Sequence, residues 1–122
     1  MRFPVPLVPT GVNHYVRHFR NGGHRVTDAA LAYKEAVAVY ARGEFVKAKR
    51  FTVSIHIVLG YKERGDIDGF PKLVLDGMAD AGIFRNPKGE RLSDAYVDRL
   101  VVTRDCKTRP ERGWTVIEVE PL

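Results

Sequence analysis

The amino-acid sequence predicts one α+β domain over residues 1–122, with a small mixed β-sheet of about four strands and two main helices. Three observations predict it: short runs of alternating apolar residues, two segments with apolar residues at helical spacing, and a chain of 122 residues that is 44% hydrophobic and 29% charged. A chain of this size buries enough surface to form one core without disulfides.

The first 26 residues predict an edge strand followed by a long loop. Prolines at positions 4, 6 and 9 interrupt residues 1–9, which is typical of an edge strand or an extended arm. Residues 10–26 are polar and basic, with glycines at positions 11, 22 and 23, so we expect a loop there. A loop of this length in a small domain is usually functional or disordered.

A first helix is expected to begin after Thr27. Threonine is a favoured N-cap residue, and Asp28 in the first turn suits the positive end of the helix dipole. Gly43 marks the expected end of the helix. The residues expected on its apolar face are Ala30, Tyr33, Val37, Tyr40 and Ala41.

The middle of the chain predicts a buried strand and a second helix. Every second residue of 51–60 is apolar, which indicates a strand with one face in the core. A charged turn then leads to a helix over about 68–82, with Asp68 as its expected N-cap and Pro71 in its first turn.

The last third of the chain predicts two more strands, over residues 95–104 and 113–120. Both segments are rich in valine and other β-forming residues. A polar turn joins them, so we expect an antiparallel hairpin.

Composition restricts the classes of function. Cys106 is the only cysteine, which excludes a disulfide framework and a cysteine-rich zinc site and favours a reducing cytoplasm. We expect no membrane association, since no apolar run reaches the length of a span and the amino-terminal residues lack an apolar signal core. The net charge of +5 and the isoelectric point near 9.6 favour a polyanionic partner such as nucleic acid.

The most informative cluster of residues is acidic. Asp66 and Asp68 are two residues apart on an extended segment, so both side chains project to one side. A hard divalent cation, Mg²⁺ above all, would offset their repulsion. Lys72 follows one helical turn after Asp68, and Asp94 offers a third carboxylate. Acids that hold a metal, beside a lysine that offsets charge on a phosphate, would suit phosphodiester hydrolysis.

The same residues also fit a structural interpretation. Asp68 would only cap a helix, Lys72 would only pair with Asp76 on a solvated face, and Asp94 would only begin a strand or turn. Asp-x-Asp is a weak pattern, and spacing alone favours this structural interpretation over the catalytic one.

Taken together, the motifs resemble those of the RusA-type Holliday junction resolvases. The resemblance covers most of the chain in the same order. It is carried by Asn13-His14-Tyr15-Val16-Arg17-His18, Ala32-Tyr33-Lys34, Asp66-Ile67-Asp68, Lys72, Leu75-Asp76, Ala79, Ala81-Gly82 and Asp94-Ala95-Tyr96-Val97. The chain departs from the usual family pattern at Gly69, Pro71 and Ser93, and its loop 85–91 is longer than the common form.

The resemblance implies a structure-selective DNA endonuclease that depends on Mg²⁺, with Mn²⁺ as a possible substitute. Such enzymes act as homodimers on four-way junctions and are typical of phages and prophages. The resemblance places Asp66, Asp68 and Asp94 on the metal-binding carboxylates and Lys72 on the essential lysine. Asp76 matches a further acidic position. We expect the protein to act on DNA in the cytoplasm.

Contacts with DNA are expected from the basic loop and from the start of the acidic segment. The expected DNA-binding residues are Asn13, Tyr15, Arg17, His18, Arg20, Arg25, Lys62 and Arg64. Two other functions stay open: a non-catalytic protein that binds branched DNA, and a general nuclease for branched or flapped DNA. The intact acids and Lys72 favour cleavage, because a pure binder gains nothing from carboxylates that face phosphate.

Overall fold

The computed structural model describes residues 1–10, 16–18, 24–65 and 67–122, with the backbone alone for residues 16–18, 24 and 25. A four-stranded mixed sheet, two short two-stranded sheets and two helices confirm the predicted α+β class. The elements in chain order are β1 (Arg2–Val5), β2 (Val16–His18), β3 (His24–Val26), α1 (Asp28–Ala41), β4 (Val46–Lys47), β5 (Phe51–Val58), α2 (Pro71–Asp80), β6 (Phe84–Arg85), a 3-10 helix (Asp94–Tyr96), β7 (Val97–Asp105) and β8 (Trp114–Pro121).

The strand β5 forms the centre of the main sheet. The strand order is β1-β8-β5-β7, in which β8 is antiparallel to both β1 and β5, and β7 is parallel to β5. The predicted alternation in β5 is confirmed, since Phe51, Val53, Ile55 and Ile57 are buried in the core. Both helices cover this face of the sheet. The first strand, β1, lies at an edge, as its prolines predict.

The expected hairpin between the last two strands is wrong. The strands β7 and β8 are not neighbours, because β5 lies between them. The central strand β5 pairs with β8 along one edge and with β7 along the other, which satisfies the backbone hydrogen-bonding groups on both edges. The parallel pair of β5 and β7 requires a long crossover, which here contains α2.

Helix α1 follows the sequence prediction closely. The hydroxyl of Thr27 accepts a hydrogen bond from the Ala30 backbone N–H at 3.3 Å, so Thr27 is the N-cap. The helix ends where Arg42 adopts a left-handed conformation. Tyr40 is exposed rather than buried, because Ala41 takes the core position in the last turn.

Helix α2 is shorter than predicted, and Asp68 does not cap it. The helix begins at Pro71, and its N-cap position is held by Phe70, which makes no side-chain capping bond. Proline at the first position supplies the helical φ and has no N–H that needs a partner, so the helix can begin without a polar cap. Gly77 faces α1, where an added Cβ would lie 3.4 Å from Val37 Cγ2, and its small size lets the two helices approach closely.

Residues 10–26 are not wholly a loop. The strands β2 and β3 pair antiparallel, with Val16 opposite Val26 and His18 opposite His24. The sequence signal for this pair is two short valine-bearing runs separated by a segment with asparagine and two glycines, residue types that favour turns. Residues 11–15 and 19–23 lie outside the described residues.

No helix in the described part of the chain combines the length and the apolar character needed to cross a membrane.

Glu63 ties the segment after β5 to the start of β8, and its loss should destabilise the fold. One of its carboxylate oxygens accepts hydrogen bonds from the backbone N–H groups of Gly60 at 2.8 Å and Gly113 at 2.7 Å. Glu63→Ala should lower the free energy of unfolding by about 2 kcal/mol, because two partly buried N–H groups lose a charged acceptor. Urea denaturation measures this, with the exposed Glu111→Ala as control. Equal stability of the two variants would contradict this role of Glu63.

Candidate functional site

The predicted catalytic residues all lie in the crossover between β5 and β7. Asp66 is outside the described residues, and its neighbours Gly65 and Ile67 are inside them. Asp68 lies in the exposed turn just before α2. Its carboxylate forms no hydrogen bond or ion pair within the described part of the chain.

Lys72 lies in the first turn of α2 and pairs with Asp76. The Lys72 ammonium lies 3.3 Å from the Asp76 carboxylate, and 61% of the lysine side chain is exposed against 23% for the aspartate. Exposed i,i+4 pairs of this kind are worth only a few tenths of a kcal/mol, so the pair orients Lys72 more than it stabilises the helix.

Asp94 opens the 3-10 helix and not, as expected, a strand. The Ser93 hydroxyl caps this helix by accepting a hydrogen bond from the Ala95 N–H at 3.2 Å, which gives Ser93 a local role. Asp94 is half-buried, and no hydrogen bond or ion pair reaches its carboxylate from the described residues. The 3-10 helix contacts α2.

Arg50 holds the 3-10 helix in place. Its guanidinium forms a two-pronged ion pair with Asp98, in which Nε donates to Oδ2 at 2.8 Å, and Nη2 also donates to the Ala95 carbonyl at 3.3 Å. Arg50 Cζ lies 5.0 Å from the centre of the Tyr96 ring. The hydrogen bonds to Arg50 lower the pKa of Asp98. No local pattern predicts these contacts, because the partners are 45 to 48 residues away in the sequence.

A second arginine holds the chain just before Asp66. Arg104 Nη1 donates to the Gly65 carbonyl at 2.6 Å. Arg109 Nη2 donates to the Tyr61 carbonyl at 2.9 Å, and the Tyr61 N–H donates to the Pro110 carbonyl at 2.8 Å. The acidic segment is therefore tied to the carboxyl-terminal end of β7 and the turn that follows it.

That turn is itself held by Asp105. Its carboxylate accepts hydrogen bonds from the Thr108 hydroxyl at 2.6 Å and from the N–H groups of Thr108 and Lys107. These bonds, the Thr108 hydroxyl first, lower the pKa of Asp105 to about 2.

The two anchored segments lie toward opposite ends of β7. Arg104, which binds Gly65, is next to the last residue of the strand, whereas Asp94 lies three residues before its first residue, Val97. A strand of nine residues spans about 30 Å. Helix α2 begins three residues after Asp68 and contacts the 3-10 helix that Asp94 opens.

The chemistry of the carboxylates nevertheless suits a hard divalent cation. Asp68 and Asp94 offer oxygen ligands that no described cation neutralises, and Mg²⁺ takes one or two carboxylates together with substrate oxygens and water. Asp66 would add a third carboxylate beside Asp68.

The predicted DNA-binding residues are only partly described. Lys62 and Arg64 are exposed on the segment before Asp66, and Lys62 Nζ lies 5.3 Å from the centre of the Tyr61 ring. Arg17 lies opposite Arg25 in the β2–β3 pair. His18 belongs to the same pair, whereas Asn13, Tyr15 and Arg20 lie outside the described residues.

Neither the comparison with protein-family models nor the comparison with curated proteins gave a match for this chain. The functional argument therefore rests on its residues and their geometry.

Removal of the Arg50 clamp should loosen the 3-10 helix. Arg50→Ala removes the bonds to Asp98 and Ala95, so the backbone amides of residues 95–97 should exchange with solvent severalfold faster. Arg99→Ala is the matched control, since it removes an exposed arginine from β7 that forms no hydrogen bond with the 3-10 helix among the described residues. Hydrogen exchange followed by NMR measures both variants. Unchanged exchange in Arg50→Ala would show that the clamp does not hold this helix.

Proposed function

We propose that the protein is a Mg²⁺-dependent endonuclease that cleaves branched DNA, with four-way junctions as its preferred substrate. The observation that carries this proposal is a pair of carboxylates, Asp68 and Asp94, that stay without a cationic partner in the described part of a chain of charge +5. Each carboxylate lies on a segment that an arginine holds in place. Such an arrangement keeps negative charge available for a metal ion.

Each residue of the motif has a distinct task in this proposal. Asp66, Asp68 and Asp94 would hold Mg²⁺, which when bound lowers the pKa of water and polarises the phosphodiester. Lys72, with its exposed ammonium, would offset the negative charge that develops on the phosphate. Asp76 would orient Lys72 from one turn further along the helix.

A homodimer is part of the proposal for two reasons. Resolution of a four-way junction needs paired cuts in two strands, and a two-fold dimer presents two identical sites. The resemblance to RusA-type resolvases supports the same assembly and a role in DNA recombination and repair.

Branched DNA fits the charge of the exposed surface. Lys62 and Arg64 are exposed just before Asp66, and the backbone of Arg17 lies opposite that of Arg25 in the β2–β3 pair. Lysine and arginine contacts to phosphate would supply affinity without regard to base sequence. Preference for a junction over linear duplex would then depend on the spacing of the two sites in the dimer.

Substitution of an acid and substitution of the lysine should have different effects on metal binding and cleavage. Asp94→Asn should abolish cleavage and metal binding yet keep or tighten junction binding, because it removes negative charge that faces phosphate. Lys72→Ala should keep metal binding but lower the cleavage rate by roughly 10²- to 10³-fold, the usual cost of a lost charge-stabilising group. Lys72→Arg should restore little, because a planar guanidinium replaces a compact charge poorly.

The assay is single-turnover cleavage of a labelled four-way junction beside linear duplex, with Mg²⁺ or with chelator, together with a metal titration. Glu120→Gln, an exposed acid in β8, is the control and should behave as the wild-type protein. Wild-type cleavage that persists in chelator, or Lys72→Ala cleavage at the wild-type rate, would contradict the assignment. Equal cleavage of duplex and junction would indicate a general nuclease.

A further inference from the structure

We infer that a basic cluster at the carboxyl-terminal end of α2 binds a backbone phosphate of DNA beside the Asp94 segment. This α2-end cluster consists of Lys47, Arg85 and Arg91. The choice of DNA as its ligand rests on the proposed function, whereas the affinity of the cluster for phosphate rests on its own geometry.

Two guanidinium groups of the cluster converge over Gly82. A Cβ added to Gly82 would lie 2.9 Å from Arg91 Nε and 3.1 Å from Arg85 Nη2. Gly82 also has φ +73°, so only glycine fits this position without strain. Like charges held this close repel each other, and an anion that bridges them would relieve the repulsion.

Neither guanidinium is neutralised by a carboxylate within the described residues. Arg85 donates only to the carbonyls of Gly82 and Gly89, each at 3.1 Å, and Arg91 donates to the Asp80 carbonyl at 3.4 Å. These carbonyls suit cations at the end of α2 and explain how the side chains are held. A guanidinium has five N–H donors, so most of those on both arginines are left to bind a phosphate.

A third cation and an aromatic ring extend the cluster. Lys47 lies opposite Arg85 in the parallel pair of β4 and β6, and it forms no hydrogen bond or ion pair with any described residue. The ring of Phe45 is 45% exposed, with Arg85 Cζ at 4.6 Å and Lys47 Nζ at 5.9 Å from its centre. The ring holds both cations at the surface.

The backbone around the cluster is ordered in advance of any ligand. Phe84 is fully buried, and its ring centre lies 5.1 Å from that of Phe51, which anchors β6 to the main sheet. The Asn86 side-chain oxygen accepts hydrogen bonds from the N–H groups of Lys88 at 3.0 Å and Glu90 at 2.9 Å, which fixes the turn between Arg85 and Arg91. A preorganised site of this kind loses little entropy on binding.

The nearest acids do not cancel the charge of the cluster. The Asp80 carboxylate pairs with Lys34 at 2.9 Å, and Glu90 accepts a hydrogen bond from the Asn86 side chain at 3.2 Å. Glu44 is exposed next to Phe45, and the exposed Lys88 adds a positive charge that offsets it. The cluster therefore keeps a positive charge toward solvent.

DNA is the polyanion that fits best. Arg91 is three residues from Asp94, at most about 10 Å along the chain. That distance corresponds to about three base steps of duplex, so one DNA arm could contact the cluster and the Asp94 segment together. Paired guanidinium groups bind phosphate oxygens with two parallel hydrogen bonds, and no base contact is needed.

The test measures DNA binding without cleavage, by fluorescence anisotropy in chelator over a range of salt concentrations. Lys47→Gln and the double variant Lys47→Gln/Arg91→Gln are compared with the wild-type protein. The double variant should bind a four-way junction about tenfold more weakly, with a salt slope lower by about two units. Arg2→Gln is the control for Lys47→Gln, since it removes one exposed charge on the opposite face of the sheet.

The outcomes separate this inference from the proposed function. Wild-type affinity and salt slope in both cluster variants, with normal cleavage by the wild-type protein, would overturn the inference alone. If the cluster variants bind DNA more weakly but the wild-type protein cleaves no DNA, the inference is supported and the proposed function is contradicted. If the cluster variants lose binding to phosphatidylglycerol vesicles but keep wild-type affinity for DNA, the cluster binds a membrane surface and the inference is wrong. Absence of DNA binding by the wild-type protein would overturn both.

Lys47→Gln breaks no hydrogen bond to a described residue, so it keeps the test valid if Arg91→Gln disturbs folding.

Discussion

The parallel pairing of β5 with β7 is the constraint on which the rest of the structure depends. Two parallel neighbours cannot be joined by a tight turn, so the chain must leave one end of the sheet and return to the other. That crossover, residues 59–96, contains α2 and all four residues of the proposed catalytic motif. It begins near the carboxyl-terminal end of β7 and returns at the amino-terminal end. The topology therefore places the residues of the proposed motif in one segment that runs from one end of β7 to the other.

Arginine side chains hold the crossover at both ends. Arg104 binds the backbone just before Asp66, and Arg50 binds the backbone and side chains around the 3-10 helix. Both arginines contact carbonyl groups and thus fix the chain, while the carboxylates of Asp68 and Asp94 receive no cation from the described residues. Arg50 and Arg104 therefore bind groups of the protein itself. The basic residues of the α2-end cluster instead keep their positive charge toward solvent.

Local sequence patterns predicted the structural features that depend on residues close in the sequence. They failed for the features that depend on contacts between distant segments. The alternation in β5 and the Thr27 cap could be read directly, because each reflects a period or a hydrogen bond within a few residues. The hairpin prediction failed because β7 and β8 each pair with β5, a strand distant in the sequence, and local patterns do not show that choice of partner. The Asp68 cap failed because Pro71 can begin a helix without one.

In the candidate site, too, features set by local spacing were predictable and features set by distant contacts were not. The spacing of the acids and Lys72 is visible in the sequence, as is the 3.3 Å pair of Lys72 with Asp76, since both depend on helical spacing. Arg50 and Arg104 could not be identified, because their partners are 39 to 48 residues away.

The most direct test of this account combines a wild-type copy and an Asp68→Asn copy in one dimer by co-expression with different affinity tags. Such a mixed dimer has one intact site and one altered site. It should nick one strand of a four-way junction in the presence of Mg²⁺ without making the paired cuts of the wild-type dimer, while the Asp68→Asn dimer stays inactive. A purified mixed dimer that makes paired cuts as the wild-type protein does, or that is as inactive as the Asp68→Asn dimer, would contradict the account.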